Sequence, residues 1–144
     1  GRPAVIRLAR PDDRATLREI QRHLREPNSA LLAYAVDGPP VTLVSVTPDG
    51  DLAGYLVALH DEETSYVAEI VVAPEHRREG RARRLLAAAF DSLRERDCTR
   101  LRLSVHPEND AARTLYESMG FEEIGREDDY YDDGSDAITM CREL

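Results

Sequence analysis

Lysine and tryptophan are absent from the 144-residue sequence. All 19 basic residues are therefore Arg, whereas Asp and Glu number 28, which gives a net charge of −9. An acidic surface repels nucleic acid, so we do not expect a nucleic-acid partner. The acid-rich, lysine-free composition resembles that of proteins from salt-loving organisms, in which dense carboxylates keep the surface hydrated. A GC-rich codon bias that replaces Lys by Arg is the alternative explanation.

Cysteines and long apolar runs are also scarce. Cys98 and Cys141 lie far apart without paired His or Cys neighbours, so they predict neither a zinc site nor a disulfide framework. We therefore expect no metal. No stretch approaches the roughly 18 consecutive apolar residues of a membrane helix, and no charged-then-apolar signal peptide opens the chain. We expect a cytoplasmic protein without a membrane partner.

The first half of the chain predicts a helix followed by a β-meander. After a short apolar run at residues 6–9, Leu17, Ile20 and Leu24 recur at helical spacing, and the Pro-Asn-Ser segment at residues 27–29 ends that pattern. Strands are predicted at the following ranges, separated by turn signals: 41–47, 52–60 and 66–72.

The second half alternates helices and strands. Apolar residues recur at spacings of 3, 4, 7 and 8 positions, which is typical of a helix packed on a sheet. These residues are Ala82, Leu85, Leu86, Ala89, Phe90 and Leu93. Residues 101–105 alternate between apolar and polar types, which predicts a strand. A second helix is predicted at residues 111–119 and closed by Gly120. Ile124 and residues 137–141 predict two last strands around an acidic hairpin.

These elements together predict one α+β domain over residues 1–144. Hydrophobic residues make up 42% of the chain, which is enough for a folded core. A domain of this length buries about two-thirds of its unfolded surface.

The most informative segment runs from residue 72 to residue 82, between a predicted strand and a predicted helix. A helix N-terminus presents unpaired N–H groups that bind phosphate. Gly80 and Ala82 would let the backbone approach such a ligand, and Arg77 and Arg78 add cationic donors. An exposed basic turn that caps a helix has the same composition, so the pattern alone leaves both interpretations open. The spacing excludes a Rossmann fingerprint, and the absence of Lys excludes a P-loop.

This segment resembles the acetyl-CoA motif of the GNAT superfamily, Arg/Gln-x-x-Gly-x-Gly/Ala after Val-x-Pro. Here the motif is Arg77-x-x-Gly80-x-Ala82. A later stretch resembles the second GNAT signature and here is Asn109-x-Ala111-Ala112-x-x-Leu115-Tyr116-Glu117-x-x-Gly120-Phe121. Two ordered motifs are more specific than either alone. The resemblance implies an acyltransferase fold, with a central mixed, mostly antiparallel sheet flanked by helices, and acetyl-CoA as the acetyl donor.

The resemblance also assigns the residues that bind acetyl-CoA. The strand backbone would hold the pantetheine arm, the turn amides would hold the pyrophosphate, and two helix residues would add contacts. The strand residues are Ile70, Val71 and Val72. The turn residues are Arg77, Arg78, Glu79, Gly80, Arg81 and Ala82. The helix residues are Asn109 and Ala112. Asn109 would also cap its helix. The thioester would lie between two splayed strands, residues 66–72 and 101–105.

Tyr116 matches the tyrosine general acid of the family, which protonates the sulfur of coenzyme A as it leaves. The alternative is a helix residue that packs with Leu115 and Met119. Tyr116 is also expected to contact the cofactor.

Glu69 is the predicted general base, acting through water beside the acceptor amine. It lies in an otherwise apolar strand, where a carboxylate is unfavourable unless solvated or paired. Many GNAT enzymes carry a base at that position. The alternatives are a strand-edge Glu that faces solvent, and His106 as the base. Ser104 departs from the family, because RimI-type enzymes carry a Glu base in Leu-Glu-Val where this chain has Leu103-Ser104-Val105, and a serine hydroxyl cannot serve as that base.

Residues 130–140 resemble the Tyr-Tyr-x-x-Gly-Glu-Asp-Ala-x-x-Met hairpin of protein N-terminal acetyltransferases, including the ribosomal-protein alanine (RimI-type) group and its archaeal counterparts. In that group the tyrosines, here Tyr130 and Tyr131, line the slot for the first residues of a substrate chain. Ser135 replaces the usual Glu. The implied partner is a protein or peptide N-terminus, with ribosomal proteins among the candidates.

Three functions follow from this resemblance. The leading hypothesis is acetylation of protein N-termini. A second is acetylation of a small amine or an internal lysine. A third is a non-catalytic acetyl-CoA-binding sensor, which the replacement at Ser104 motivates.

Overall fold

The computed structural model describes residues 5–24, 40–131 and 133–144. These residues form seven strands and three α-helices: β1 Val5–Leu8, α1 Arg14–Gln21, β2 Val41–Val46, β3 Leu52–Asp61, β4 Thr64–Val72, α2 Arg81–Arg94, β5 Arg100–Val105, α3 Asp110–Ser118, β6 Glu122–Glu127 and β7 Ala137–Glu143. The predicted elements occur with shifted ends; for example, α1 stops before Leu24. The predicted break at residues 27–29 lies outside the described residues. None of the helices in the described ranges is long and apolar enough to span a bilayer.

The seven strands form one sheet in the order β1-β2-β3-β4-β5-β7-β6. The central β4–β5 pair is parallel, and the other neighbouring pairs are antiparallel. A parallel pair needs a crossover connection, and α2 provides it between β4 and β5. The sheet is therefore mixed and mostly antiparallel, which confirms the predicted fold class.

Helices cover both faces of the sheet. On the face that we call the α2–α3 face, Leu85, Leu86 and Leu93 of α2 are fully buried in a large apolar cluster that also contains Tyr116 of α3. On the opposite face, the α1 face, Leu17 and Ile20 pack on a smaller cluster from β2, β3 and β4. Full burial of each leucine contributes about 2 kcal/mol to stability.

The start of α1 is fixed by an ion pair to the edge of the sheet. Asp13 accepts a hydrogen bond of 2.8 Å from the backbone N–H of Arg10, and Arg7 of β1 donates to both of its carboxylate oxygens at 2.8 and 3.1 Å. The Arg7 guanidinium holds the pKa of the Asp13 carboxyl below its usual range. This pairing joins α1 to β1 and so orients the helix on its face.

Two irregularities in the middle of the sheet create the site. The β4–β5 pairing covers only Thr64 to Tyr66 opposite Arg100 to Arg102, and the strands then separate. In addition, β4 has a bulge against β3, because Val57 pairs with Glu69 whereas the next residue of β3 pairs with Val67. Ala68 is therefore the extra residue. Beyond the bulge, Glu69 lies on the α1 face.

Candidate active site

A cavity of about 910 Å³ opens where β4 and β5 separate. It is lined by Val67 to Val72 of β4 and by Leu103 to His106 at the end of β5, together with residues of α3 and of the β6–β7 hairpin. Because the gap lies within the sheet, both faces of the sheet contribute side chains to its walls.

The free edge of β4 is the first structural element of the site. Past Tyr66, no strand in the described structure pairs with this edge, and a strand edge presents backbone N–H and C=O groups that bind another extended chain. Ile70 and Val72 pack on the α2–α3 face, and Val71 on the α1 face. The Arg77 side chain donates to the carbonyl of Val72 at 3.1 Å and so ties the following turn to the strand.

The turn after β4 leads into an open helix N-terminus. Gly80 has a left-handed φ of 75° and precedes α2 without a side-chain cap, and Arg78 also has a positive φ of 64°. The first-turn N–H groups of α2 therefore remain available to an anion. Ala82 lines the cavity. The turn thus leads directly into the helix, and phosphate binding by its amides stays a prediction.

The arginine side chains of this turn do not act alike. Arg81 is buried, and its guanidinium donates to Ser45 at 3.0 Å and to Glu79 at 3.2 Å. The same contact holds the pKa of the Glu79 carboxyl below its usual range. The Arg78 side chain is exposed and has no hydrogen-bond or ion-pair partner within the described ranges. The charge of Arg81 is therefore paired with Glu79, whereas the charge of Arg78 is still available to a ligand.

Tyr116 of α3 stands on the α2–α3 face of the cavity. It is 7% exposed and packs edge-on against Phe121, with the ring centroids 5.8 Å apart. Burial raises the pKa of Tyr116 to about 12, so its hydroxyl stays protonated at neutral pH. That hydroxyl makes no hydrogen bond to any residue that the structure describes. At the start of α3, Asn109 caps the helix by accepting from Ala112 N–H at 3.1 Å, and both residues line the cavity.

Glu69 lies on the α1 face of the cavity and is 7% exposed, so it is not a solvent-facing strand residue. Gln21 of α1 donates to both carboxylate oxygens at 3.1 Å, and the Tyr55 hydroxyl donates to one of them at 3.0 Å. These donors satisfy the buried charge. Neither Gln21 nor Tyr55 was predicted as a site residue, and neither belongs to a recognisable motif.

Three hydroxyl groups form a chain that reaches the cavity at Ser104. Tyr66 donates to the Ser104 oxygen at 3.0 Å, and the Tyr66 and Tyr130 oxygens are also 3.0 Å apart. Ser104 lines the cavity, whereas Tyr130 is 42% exposed at the surface. The sequence indicated Ser104 and Tyr130 separately, but it did not indicate Tyr66 as a site residue.

The second hairpin tyrosine packs against the end of β5. The rings of Tyr131 and His106 lie 5.7 Å apart at 32°, and Tyr131 lines the cavity. The Nδ1 atom of His106 accepts the Glu108 N–H at 3.1 Å, which places the proton of a neutral ring on Nε2. The His106 Nε2 atom is buried and makes no hydrogen bond to the residues that the structure describes. In the described part of the chain, no group of three or more His, Cys, Asp or Glu residues could hold a metal ion.

The comparison with known proteins agrees with this architecture. The sequence profile of the acetyltransferase (GNAT) family matches residues 4–121. The ribosomal protein bS18-alanine N-acetyltransferase of Escherichia coli (strain K12) is 37% identical over 101 residues, which are 67% of this chain and 67% of that protein. An N-alpha-acetyltransferase of Saccharolobus solfataricus is 28% identical over 159 aligned positions, which cover 100% of this chain and 95% of that protein.

The structural comparison extends the match to nearly the whole chain. The crystal structure of the ribosomal-protein-S18-alanine N-acetyltransferase from Escherichia coli has a TM-score of 0.88 at 27% identity and covers 99% of this chain and 94% of its own. The profile, the relatives and the fold all agree with the resemblance seen in the two sequence motifs. The chain therefore belongs to the GNAT acetyltransferase family and is an N-acetyltransferase.

Proposed function

We propose that this protein transfers the acetyl group of acetyl-CoA to the α-amino group of a protein N-terminus. The observation that carries the proposal is the gap between β4 and β5, which has Tyr116 on the α2–α3 face, Glu69 and Ser104 on the α1 face, and Tyr131 in its wall. A thioester held in that gap would be open to an amine on one side and to a proton donor on the other. Direct attack of the amine on the thioester needs both.

The residues present fit acetyl-CoA, which supplies an activated acyl group when bound. The unpaired edge of β4 offers the backbone groups of Ile70, Val71 and Val72 to the amides of the pantetheine arm. The amides from Arg77 to Ala82, at the uncapped start of α2, suit a pyrophosphate, and the free Arg78 side chain adds positive charge. Asn109 and Ala112 complete the wall of the cavity at α3.

Tyr116 is the proposed general acid. A phenol with a pKa near 12 carries its proton at neutral pH and can transfer it to a thiolate as the carbon–sulfur bond breaks. Its hydroxyl is not engaged by other described side chains, so nothing in that part of the structure competes for the proton.

The α1 face is the proposed acceptor side. Glu69 places a negative charge beside the cavity, which favours a cationic amine, and Tyr130 and Tyr131 offer apolar walls with hydroxyls for a peptide backbone. The Glu69 carboxylate accepts two hydrogen bonds from Gln21 and one from Tyr55. The role of Glu69 as general base stays a prediction. The relatives named above, which are described as acetylating a protein alanine or an α-amino group, support a protein N-terminus as the acceptor.

The chain as a whole is proposed to work in the cytoplasm, where its two free cysteines stay reduced.

We also propose that its acidic surface is adapted to high salt. Equilibrium unfolding in low and in molar salt tests this statement: the expected result is lower stability at low salt, and a free energy of unfolding independent of salt would contradict it.

Acetyl transfer, followed by mass spectrometry, tests the function. The acceptors are peptides with free N-termini, the same peptides with a blocked N-terminus and an internal Lys, and a panel of polyamines and aminoglycosides. We expect acetylation only of free α-amines. Transfer confined to lysine or to small amines would overturn the acceptor and keep the enzyme. Binding of acetyl-CoA without transfer to any acceptor would favour a sensor.

A further inference from the structure

The hydroxyls of Ser104, Tyr66 and Tyr130 connect the cavity to the protein surface. The Tyr66 oxygen lies 3.0 Å from the Ser104 oxygen and 3.0 Å from the Tyr130 oxygen. Ser104 lines the cavity, Tyr66 is half-buried behind it, and Tyr130 is 42% exposed on the hairpin. Three side chains from three different elements thus form a continuous hydrogen-bonded path from the cavity to bulk water.

The inner end of this path lies where an incoming amine would lose its proton. Leu103 and Val105 are buried on the α2–α3 face, so alternation along β5 places Ser104 on the α1 face. Tyr116 lies on the other face. The path and the proposed acid are therefore on opposite sides of the gap, as the removal of one proton and the delivery of another require.

Two other groups of the cavity, Glu69 and His106, already accept hydrogen bonds. Both oxygens of Glu69 accept hydrogen bonds from Gln21, and Tyr55 donates to one of them. The Nδ1 atom of His106 accepts a backbone N–H. Ser104 cannot act as a base by itself, because an alkoxide at neutral pH is too unfavourable, so its proton must have somewhere to go.

We propose that the Ser104–Tyr66–Tyr130 hydroxyl chain is a proton relay that carries the amine proton to solvent during acetyl transfer. The proposal rests on the proposed function. As the nitrogen–carbon bond forms, the nitrogen gives a proton to the Ser104 oxygen, Ser104 gives its own to Tyr66, Tyr66 gives its own to Tyr130, and Tyr130 gives its own to water. The carbon–sulfur bond breaks, Tyr116 supplies the proton that the sulfur takes, and a proton from solvent restores the Tyr116 hydroxyl after the products leave. Each relay hydroxyl gains and loses one proton.

The chemistry of the three groups suits a relay better than a base. In the resting structure Tyr66 donates to Ser104, so the Tyr66 hydroxyl must turn before the chain can pass a proton outward. Hydroxyl hydrogens rotate readily. Burial raises the pKa of Tyr66 well above its ordinary value, so it does not become a phenolate base. A relay requires no lasting ionisation of any member.

Substitutions that remove single hydroxyls test the relay, with kcat and KM measured on a free-N-terminus peptide that the wild type acetylates. We expect Tyr66→Phe and Ser104→Ala to lower kcat roughly 100-fold, the lower end of the usual effect of losing general base catalysis. Tyr130→Phe keeps the ring that contacts Tyr131 and should lower kcat about 10-fold, since water can replace an exposed hydroxyl. KM for the peptide should change less than about twofold.

A carboxylate at position 104 provides the decisive comparison. Ser104→Glu installs a base that needs no relay, so in that background Tyr66→Phe should change kcat by less than about twofold. Ser104→Asp serves the same purpose if the Glu variant does not fold. Equal losses from Tyr66→Phe in both backgrounds would overturn the relay and indicate a structural role for Tyr66.

The matched control is Ser65→Ala. The Ser65 hydroxyl donates to the Arg100 carbonyl at 2.8 Å, between the same two strands as the relay but outside the cavity. This substitution should leave kcat unchanged. Wild-type activity in Tyr66→Phe would overturn the relay but not the proposed function. Absence of transfer to any free N-terminus by the wild type would overturn both.

Discussion

The two faces of the cavity are built in different ways. On the α2–α3 face, the groups proposed to hold acetyl-CoA are mostly backbone amides in one continuous segment, the end of β4 and the turn into α2. On the α1 face, the polar groups are side chains from α1, β3, β4, β5 and the β6–β7 hairpin, joined by hydrogen bonds such as that between Gln21 and Glu69. A constant donor can be held by a local backbone motif, whereas an acceptor that differs between enzymes is recognised by side chains that can change one at a time.

Tyr116→Phe should have the largest effect, because it removes the proposed proton donor on the α2–α3 face. We expect kcat to fall by roughly 100-fold or more. The hydroxyl makes no hydrogen bond to the residues described here, so the ring should keep its contact with Phe121, and acetyl-CoA should still bind. Steady-state kinetics with calorimetry of acetyl-CoA binding measures both. An unchanged kcat would remove Tyr116 as the acid.

Gly80→Ala should impair the α2–α3 face alone. A side chain at a φ of 75° is strained by roughly 1–2 kcal/mol, and the turn would shift its amides to relieve that strain. We expect the Kd for acetyl-CoA to rise about 10-fold, with little change in KM for the peptide. The control is Gly50→Ala, which introduces the same kind of strain at a φ of 93° in the turn between β2 and β3. Equal effects of the two substitutions on the Kd would contradict a phosphate-binding turn.

Glu69→Gln should impair the α1 face alone. Loss of the negative charge beside the cavity should raise KM for a cationic peptide about fivefold and leave acetyl-CoA binding intact. The same measurement separates two roles of this residue. A roughly 100-fold fall in kcat would mark Glu69 as the general base and count against the hydroxyl relay.

Asp13→Asn should have the smallest effect on activity, because Asp13 positions α1 and does not line the cavity. The pKa of Asp13 is lower in the folded state than in the unfolded chain. Its ionisation therefore stabilises the fold above the unfolded pKa of about 4, and this contribution is lost as the pH falls through the folded pKa. Loss of the charge should cost about 1–2 kcal/mol near neutral pH. Urea unfolding between about pH 6 and pH 2 should show the two proteins converging in acid.

Local patterns predicted the three α-helices and six of the seven strands in the described ranges, whereas β1 was recognised only as a short apolar run. The period of Leu85, Leu86, Ala89 and Leu93 indicates a helix with one buried face, and that face is buried. The turn at residues 77–82 could be located from Gly80, because glycine readily adopts the positive φ that occurs before this helix. Glu69 was recognisable as a carboxylate in an apolar strand, but its partners were not.

The hydroxyl chain could not be predicted in the same way. Tyr66 and Ser104 are 38 residues apart, and Tyr66 and Tyr130 are 64 residues apart. Tyrosine and serine are ordinary strand residues, so neither their type nor their period indicates that they meet. Their contact depends on the register of β4 with β5 and on the point at which these strands separate.

The sequence by itself determined the α+β class, the family and the segment proposed to bind acetyl-CoA, because short-range periodicity and contiguous motifs depend on neighbouring residues. Only the tertiary structure decided which side chains face the acceptor, where Glu69 finds its hydrogen-bond donors and which hydroxyls connect the cavity to water. Those features depend on the β4 bulge and on the short parallel pairing of β4 with β5. Both bring together residues that are distant in the chain, and such contacts are set by the packing of the whole sheet.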